Sequence, residues 1–178
     1  MKKLKNKHES ALFLEWDNLR QLLWSNNCIV SQGKFIKTIQ KLAQIKDMEL
    51  FTGYSQNDLP EFLLFVIDCF HNALSREVKM NITGTSTTEK DVIALKCYEQ
   101  IKARYTTDYS EMLKIFYGVH VSILEKVTDG EQISTVPESF FRIHLAIPPP
   151  PPPSPKKTES NTMTTLLDCF DLYIEPEK

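Results

Sequence analysis

No apolar run in these 178 residues reaches the 18 or more that a membrane span needs. The first residues also lack the apolar core of a secretory signal. Both absences point to an intracellular protein, cytoplasmic or nuclear. No Cys-x-x-Cys pair occurs, so a zinc ribbon has no support. The four cysteines, Cys28, Cys69, Cys97 and Cys169, stand far apart. Cys69 and Cys97 lie in apolar helical patterns and read as core thiols. A large excess of charge of either sign is also missing. A net charge of −2 and a pI near 6.1 leave no electrostatic footprint for nucleic acid. No internal repeat is visible.

What is present is ordinary for one domain with a core. The chain is 42% hydrophobic and 25% charged, which excludes a wholly disordered chain. Lys2, Lys3, Lys5 and Lys7 form a short basic tail over residues 1–9. From Ser10, read as a cap, a first helix is predicted to about Trp24. Leu12, Leu14, Trp16, Leu19, Leu22 and Leu23 supply its apolar face. A second helix is predicted near Lys34 to Lys46, with Phe35, Ile39, Leu42 and Ala43 in one stripe. A third begins at Asp58 and ends near Ser75-Arg76. It is apolar almost all round, so it reads as the central helix.

Val78 to Thr88 is irregular, and Glu89 to Tyr105 is helical. A short helix capped by Asp108 or Ser110 ends at Phe116. The period then changes to that of strands. Val119, Val121 and Ile123 alternate in one strand, Asp129-Gly130 signals a hairpin turn, and Phe141, Ile143, Leu145 and Ile147 alternate in a second. Six prolines from Pro148 to Pro153 impose polyproline II, at about 3.1 Å per residue. The predicted organisation is a domain over 10–147, a proline-rich loop or linker over 148–162, and a further helix of the same domain over 163–178. The fold class is α+β.

The polar cluster at the start of the third helix carries the chemistry. Asp58 at the N-cap puts Glu61 at the third helical position, and Pro60 falls in the first turn where its missing N–H costs nothing. Capping accounts for Asp58 and Glu61. It does not account for the amides Gln56 and Asn57. Amides donate to and accept from an extended backbone, and carboxylates receive Arg side chains. The cluster therefore also suits an extended peptide with basic residues, and both readings stand.

The same segment resembles the box of the ubiquitin-specific proteases, written Q-Q-D-A-Q-E-F before an apolar helix closing with Asp and His. Gln56, Asn57, Asp58, Glu61, Phe62, Asp68 and His71 match it in order. Phe51-Thr52-Gly53 resembles the F-x-G before that box. Ser110 with Phe116-Tyr117-Gly118 resembles the entry to the fingers. Glu138, Phe140, Phe141, Leu145 and Ile147-Pro148 resemble the E-x-F-x-x-L-x-L-x-I-P strand. Leu166 to Phe170 and Tyr173 resemble the L-x-D-C-x-x-x-Y-x-x-E helix, with Glu177 one residue beyond its last position. The likeness covers roughly residues 12 to 178.

The resemblance implies part of a papain-like cysteine peptidase domain, a helical thumb followed by a β-hairpin of the fingers. It implies that Gln56 and Asp58 contact the ubiquitin tail, with Asn57 and Glu61 supporting and Phe62 packed inside. The partner would be ubiquitin or a ubiquitinated protein. The sequence departs from the family where catalysis resides. No box like G-L-x-N-x-G-N-T-C-Y is present, and Cys28 lacks its Gly, Thr and following aromatic. His71, His120 and His144 do not fit the catalytic base. A thiol without a base is no cysteine protease, so no catalytic residue is assigned and the chain reads as a fragment or an inactive relative. The fingers' Cys-x-x-Cys is missing after Gly118, so no metal or cofactor is expected. A rival reading is a helical adaptor. Pro152, Pro155 and Lys157 fit P-x-x-P-x-K, which suits an SH3-like reader with an acidic rim.

Overall fold

The structure is a computed structural model that describes residues 8–26, 29–149 and 164–176. Among these it contains helices α1 (His8–Leu23), α2 (Gly33–Ile45), α3 (Leu59–Leu74), α4 (Glu89–Thr107), α5 (Glu111–Phe116) and α6 (Leu166–Tyr173). Strands β1 (Gly118–Glu125) and β2 (Gln132–Phe140) form a two-stranded sheet. The class is α+β, as the change of period predicts.

Two compact units divide the chain. The first comprises 1–122 with 135–141 and holds the core. Leu12 of α1, Ile39, Leu42 and Ala43 of α2, and Phe65, Cys69 and Phe70 of α3 bury together with Phe51. The α2 residues are those of the predicted stripe. Rings fix the junction of the three helices. Phe13 meets Phe70 edge-on at 5.3 Å, and Trp16 lies 5.8 Å from Phe35. The second unit comprises 123–134 with 142–178. Within it α6 opens with a reciprocal capping box between Thr165 and Asp168.

Three expectations are corrected. Ser10 is no cap: it is buried within the first turns of α1, because Glu9 pairs with Lys46 at 2.8 Å and docks those turns on the end of α2. Of the predicted α1 face only Leu12 and Leu19 are buried, while Leu14, Leu22 and Leu23 stay exposed. The second strand is not Phe141 to Ile147. Asp129-Gly130 does make the turn, with Gly130 at φ +70° and the Asp129 carboxylate accepting the Glu131 N–H at 3.0 Å. A turn this tight pairs β1 with the residues that follow at once, and these are β2. Residues 142–149 have no regular structure. Their apolar alternation still appears as burial, with Ile143 and Leu145 half-buried and Arg142, His144 and Ala146 exposed.

Between α3 and α5 the chain makes an excursion and returns. Arg76 and Tyr109 form an isolated antiparallel bridge, each N–H donating to the other's carbonyl at 2.8 Å. The Arg76 guanidinium also donates twice to the Glu111 carboxylate, at 2.8 and 3.0 Å, and lies 4.9 Å from the Tyr109 ring centroid. This two-pronged pair sets where α5 begins.

Candidate site at the start of the third helix

The start of α3 is fixed from both sides of the chain. Asp58 is the N-cap in extended backbone, and its Oδ1 accepts the Glu61 N–H at 3.0 Å. Phe62, one residue on, packs against the core and meets Phe51 edge-on at 5.7 Å. Phe51 itself sits on the short 3₁₀ turn Glu49–Phe51 and is buried. The preceding loop is tied down by amides. Asn57 Nδ2 donates to the Leu50 carbonyl at 2.9 Å and to the Ser55 carbonyl at 3.0 Å. Gln40 of α2 donates to the Gly53 carbonyl at 3.2 Å.

The four predicted site residues therefore divide. Asn57 is half-buried and its amide N–H groups are spent on the loop. Gln56, Asp58 and Glu61 are exposed around the helix start. Two residues that the sequence analysis passed over, Tyr54 and Leu59, stand exposed on the same loop and first turn. Their side chains give an apolar border to the polar cluster. The signal for them was available: a large apolar residue on each side of a polar run. Pro152, Pro155 and Lys157 lie outside the described residues, as do Cys28 and Glu177.

Asp68 and His71, which close the motif, have a different place. His71 Nδ1 lies 2.7 Å from Ser110 Oγ, and Nε2 lies 3.1 Å from the Asp108 carboxylate. In composition this is a Ser-His-Asp row. It cannot act as one, because Ser110 is fully buried and no substrate carbonyl reaches its hydroxyl. The row is a clasp between the second half of α3 and the start of α5. Facing the Asp108 carboxylate, Nε2 carries the proton, and Nδ1 meets the Ser110 hydroxyl. Asp68 accepts a long bond from the Tyr117 hydroxyl at 3.4 Å, and burial first, then the Asp68 charge, raises the Tyr117 phenol.

A family profile described as ubiquitin carboxyl-terminal hydrolase matches residues 1–167. The chain belongs to the ubiquitin carboxyl-terminal hydrolase family. Among curated relatives it is 27% identical to ubiquitin carboxyl-terminal hydrolase 2 of Bos taurus, 28% to that of Gallus gallus and 29% to that of Homo sapiens, each over 94% of this chain. The chain spans 26% of the bovine and human relatives and 43% of the chicken one.

Two of the described thiols of this hydrolase-family chain, Cys69 and Cys169, are placed for packing. Cys69 is fully buried, and burial pushes it up to about 11 against the weaker opposing pull of Lys46. A thiol so protonated is a poor nucleophile. Cys169 is buried. Cys97, read from sequence as a core thiol, is only half-buried. Among the described residues no three His, Cys, Asp or Glu side chains gather as a metal site, and no helix is long and apolar enough to cross a membrane.

Proposed function

We propose that this chain supplies the ubiquitin-tail-holding part of a cysteine-type isopeptidase domain of the hydrolase family. On this reading α1 to α5 correspond to the thumb, and the β1–β2 hairpin begins the fingers. Gln56, Asp58 and Glu61 face the tail, and Asn57 supports them by holding the loop. One observation carries the reading. The helix start is immobilised by the Asp58 cap and by Phe62 in the core, while three polar side chains around it remain exposed. Such a surface can grip an extended peptide, and the arginines of the ubiquitin tail complement its two carboxylates.

The test is an NMR titration of the chain with labelled ubiquitin. Shifts should concentrate in the ubiquitin tail. Asp58→Ala should weaken binding, but it also removes a cap and costs about 1 kcal/mol of stability. Gln56→Ala and Glu61→Gln leave the Asp58 side-chain cap in place, and each should weaken binding more than Glu89→Ala on α4. No tail shift, or equal effects of Glu61→Gln and Glu89→Ala, would sink the proposal.

We also propose that the 178-residue chain alone does not hydrolyse ubiquitin conjugates. Support comes from the buried, strongly protonated Cys69 and from His71, whose ring is engaged by Ser110 and Asp108. A ubiquitin–fluorophore substrate should give no turnover. Turnover that disappears in Cys28→Ser would overturn this and assign a nucleophile.

A further inference from the structure

Helix α4 is 19 residues long and none of its residues is buried. Val92, Leu95 and Tyr98 stay exposed along it. A helix of this length in a protein is normally held by an apolar face packed on its neighbours. Here the space beneath it is a groove of about 390 Å³. Tyr98, Ile101 and Arg104 form one wall, and Leu113, Tyr117 and Val119 form the other. The volume falls within the range of about 300–1,000 Å³ typical of ligand clefts. The groove includes none of the residues at the α3 start, so it is independent of the tail-holding site.

Its lining contains one charge. The Arg104 guanidinium lies 4.4 Å from the Tyr117 ring centroid, a cation–π contact. Among the described residues Arg104 makes no ion pair. The other lining groups are aromatic, aliphatic, thiol, hydroxyl or backbone.

We propose that this groove binds a small amphipathic anion, an aromatic body bearing one carboxylate. The body would lie against Ile101, Leu113 and Val119 with its face to a tyrosine ring. The carboxylate would take the two-pronged donor set of Arg104. Arg104 already meets the Tyr117 ring and phenol. No carboxylate pairs with it among the described residues, so a neutral ligand of equal shape would forgo an ion pair that an anion gains. Charge complementarity therefore selects the anion, and the aromatic lining selects the body.

The probe is 1-naphthoate, titrated into the full 178-residue chain with amide shifts as readout. Binding should saturate at one equivalent, with the largest shifts at Tyr98, Arg104 and Tyr117. The neutral analogue 1-naphthylmethanol should bind at least tenfold more weakly. Arg104→Met should lose at least tenfold in naphthoate affinity and bring acid and alcohol close together. Cys97 also lines the groove, so its alkylation by iodoacetamide, followed by peptide mass spectrometry, should slow at least fivefold at saturation. Should Arg104→Met fail to fold by circular dichroism, Ala94→Trp fills the groove from the α4 side and should abolish binding. Equal affinity for acid and alcohol in the unmodified chain, unchanged Cys97 alkylation at saturation, or shifts spread over the molecule would each overturn the proposal.

Discussion

Ser110 illustrates how a residue can be found in the sequence and its work misjudged. It is the N-cap of α5, one of the two candidates the sequence left open with Asp108, yet no side-chain capping bond comes from it. Its hydroxyl turns to His71, 39 residues earlier. Nothing local marks such a pairing, because the two residues meet only after α3 and α5 have packed. Ser110→Ala leaves a part-buried imidazole nitrogen without its partner. The expected cost is about 1–3 kcal/mol, read as a lower urea midpoint with an unchanged slope. Asp58 shows the opposite case. Its cap is a contact over three residues, and the sequence pattern predicts it outright. Gln56, Asn57, Asp58 and Glu61 were equally legible as a polar group at one helix start. That Asn57 faces inward and Gln56 outward was not, since it depends on the path of the loop from Leu50.

At the scale of elements, caps hold what packing does not. Thr88 and Asp91 make a reciprocal box at the start of α4. The Asp91 carboxylate receives the N–H groups of Thr87 and Thr88 and the Thr87 hydroxyl. The backbone and hydroxyl of Thr88, then those of Thr87, lower its pKa from 3.8 to about 2. A carboxyl depressed on folding stabilises above its unfolded pKa. That contribution should be complete above about pH 4 and should fade as pH falls toward 2. Amide exchange at Thr87 and Thr88 should therefore rise over that window, and Asp91→Asn should flatten the dependence. The hairpin offers a steric test. A Cβ on Gly118 would lie 2.5 Å from the Phe140 ring, which stacks on His120 at 5.5 Å. Gly118→Ala must displace that ring, and a loss of about 1–3 kcal/mol in chemical denaturation is expected. The helices were largely legible because their periodicity is local. The second strand was misplaced because residues 141–147 alternate more strongly than β2, which carries Pro137. Turn geometry outweighs pattern strength in choosing the partner.

For the molecule as a whole, burial is uneven. The buried cluster joins α1, α2 and α3, while α4 contributes none of its residues. Amide hydrogen exchange should be slowest for Leu12, Leu42 and Phe65 to Phe70 and at least tenfold faster along the middle of α4. Equal protection of α4 and α3 would contradict this uneven distribution of stability. Membership of the hydrolase family was legible because several short motifs keep their order over most of the chain. The contacts between those motifs were not, since each is fixed by packing across dozens of residues. The Arg76–Tyr109 bridge has a consequence for variation in length. It joins the chain before the excursion to the chain after it, so residues 77–108 form a closed side branch. Adding residues to such a branch costs little, because closure entropy grows only with the logarithm of loop size. The irregular stretch at 78–86, ahead of the Thr87 and Thr88 contacts to Asp91, is therefore where descendants of this sequence can gain or lose segments. A peptide tag inserted at Gly84, or a single nick there, should leave the stem at Arg76, Tyr109 and Glu111 closed.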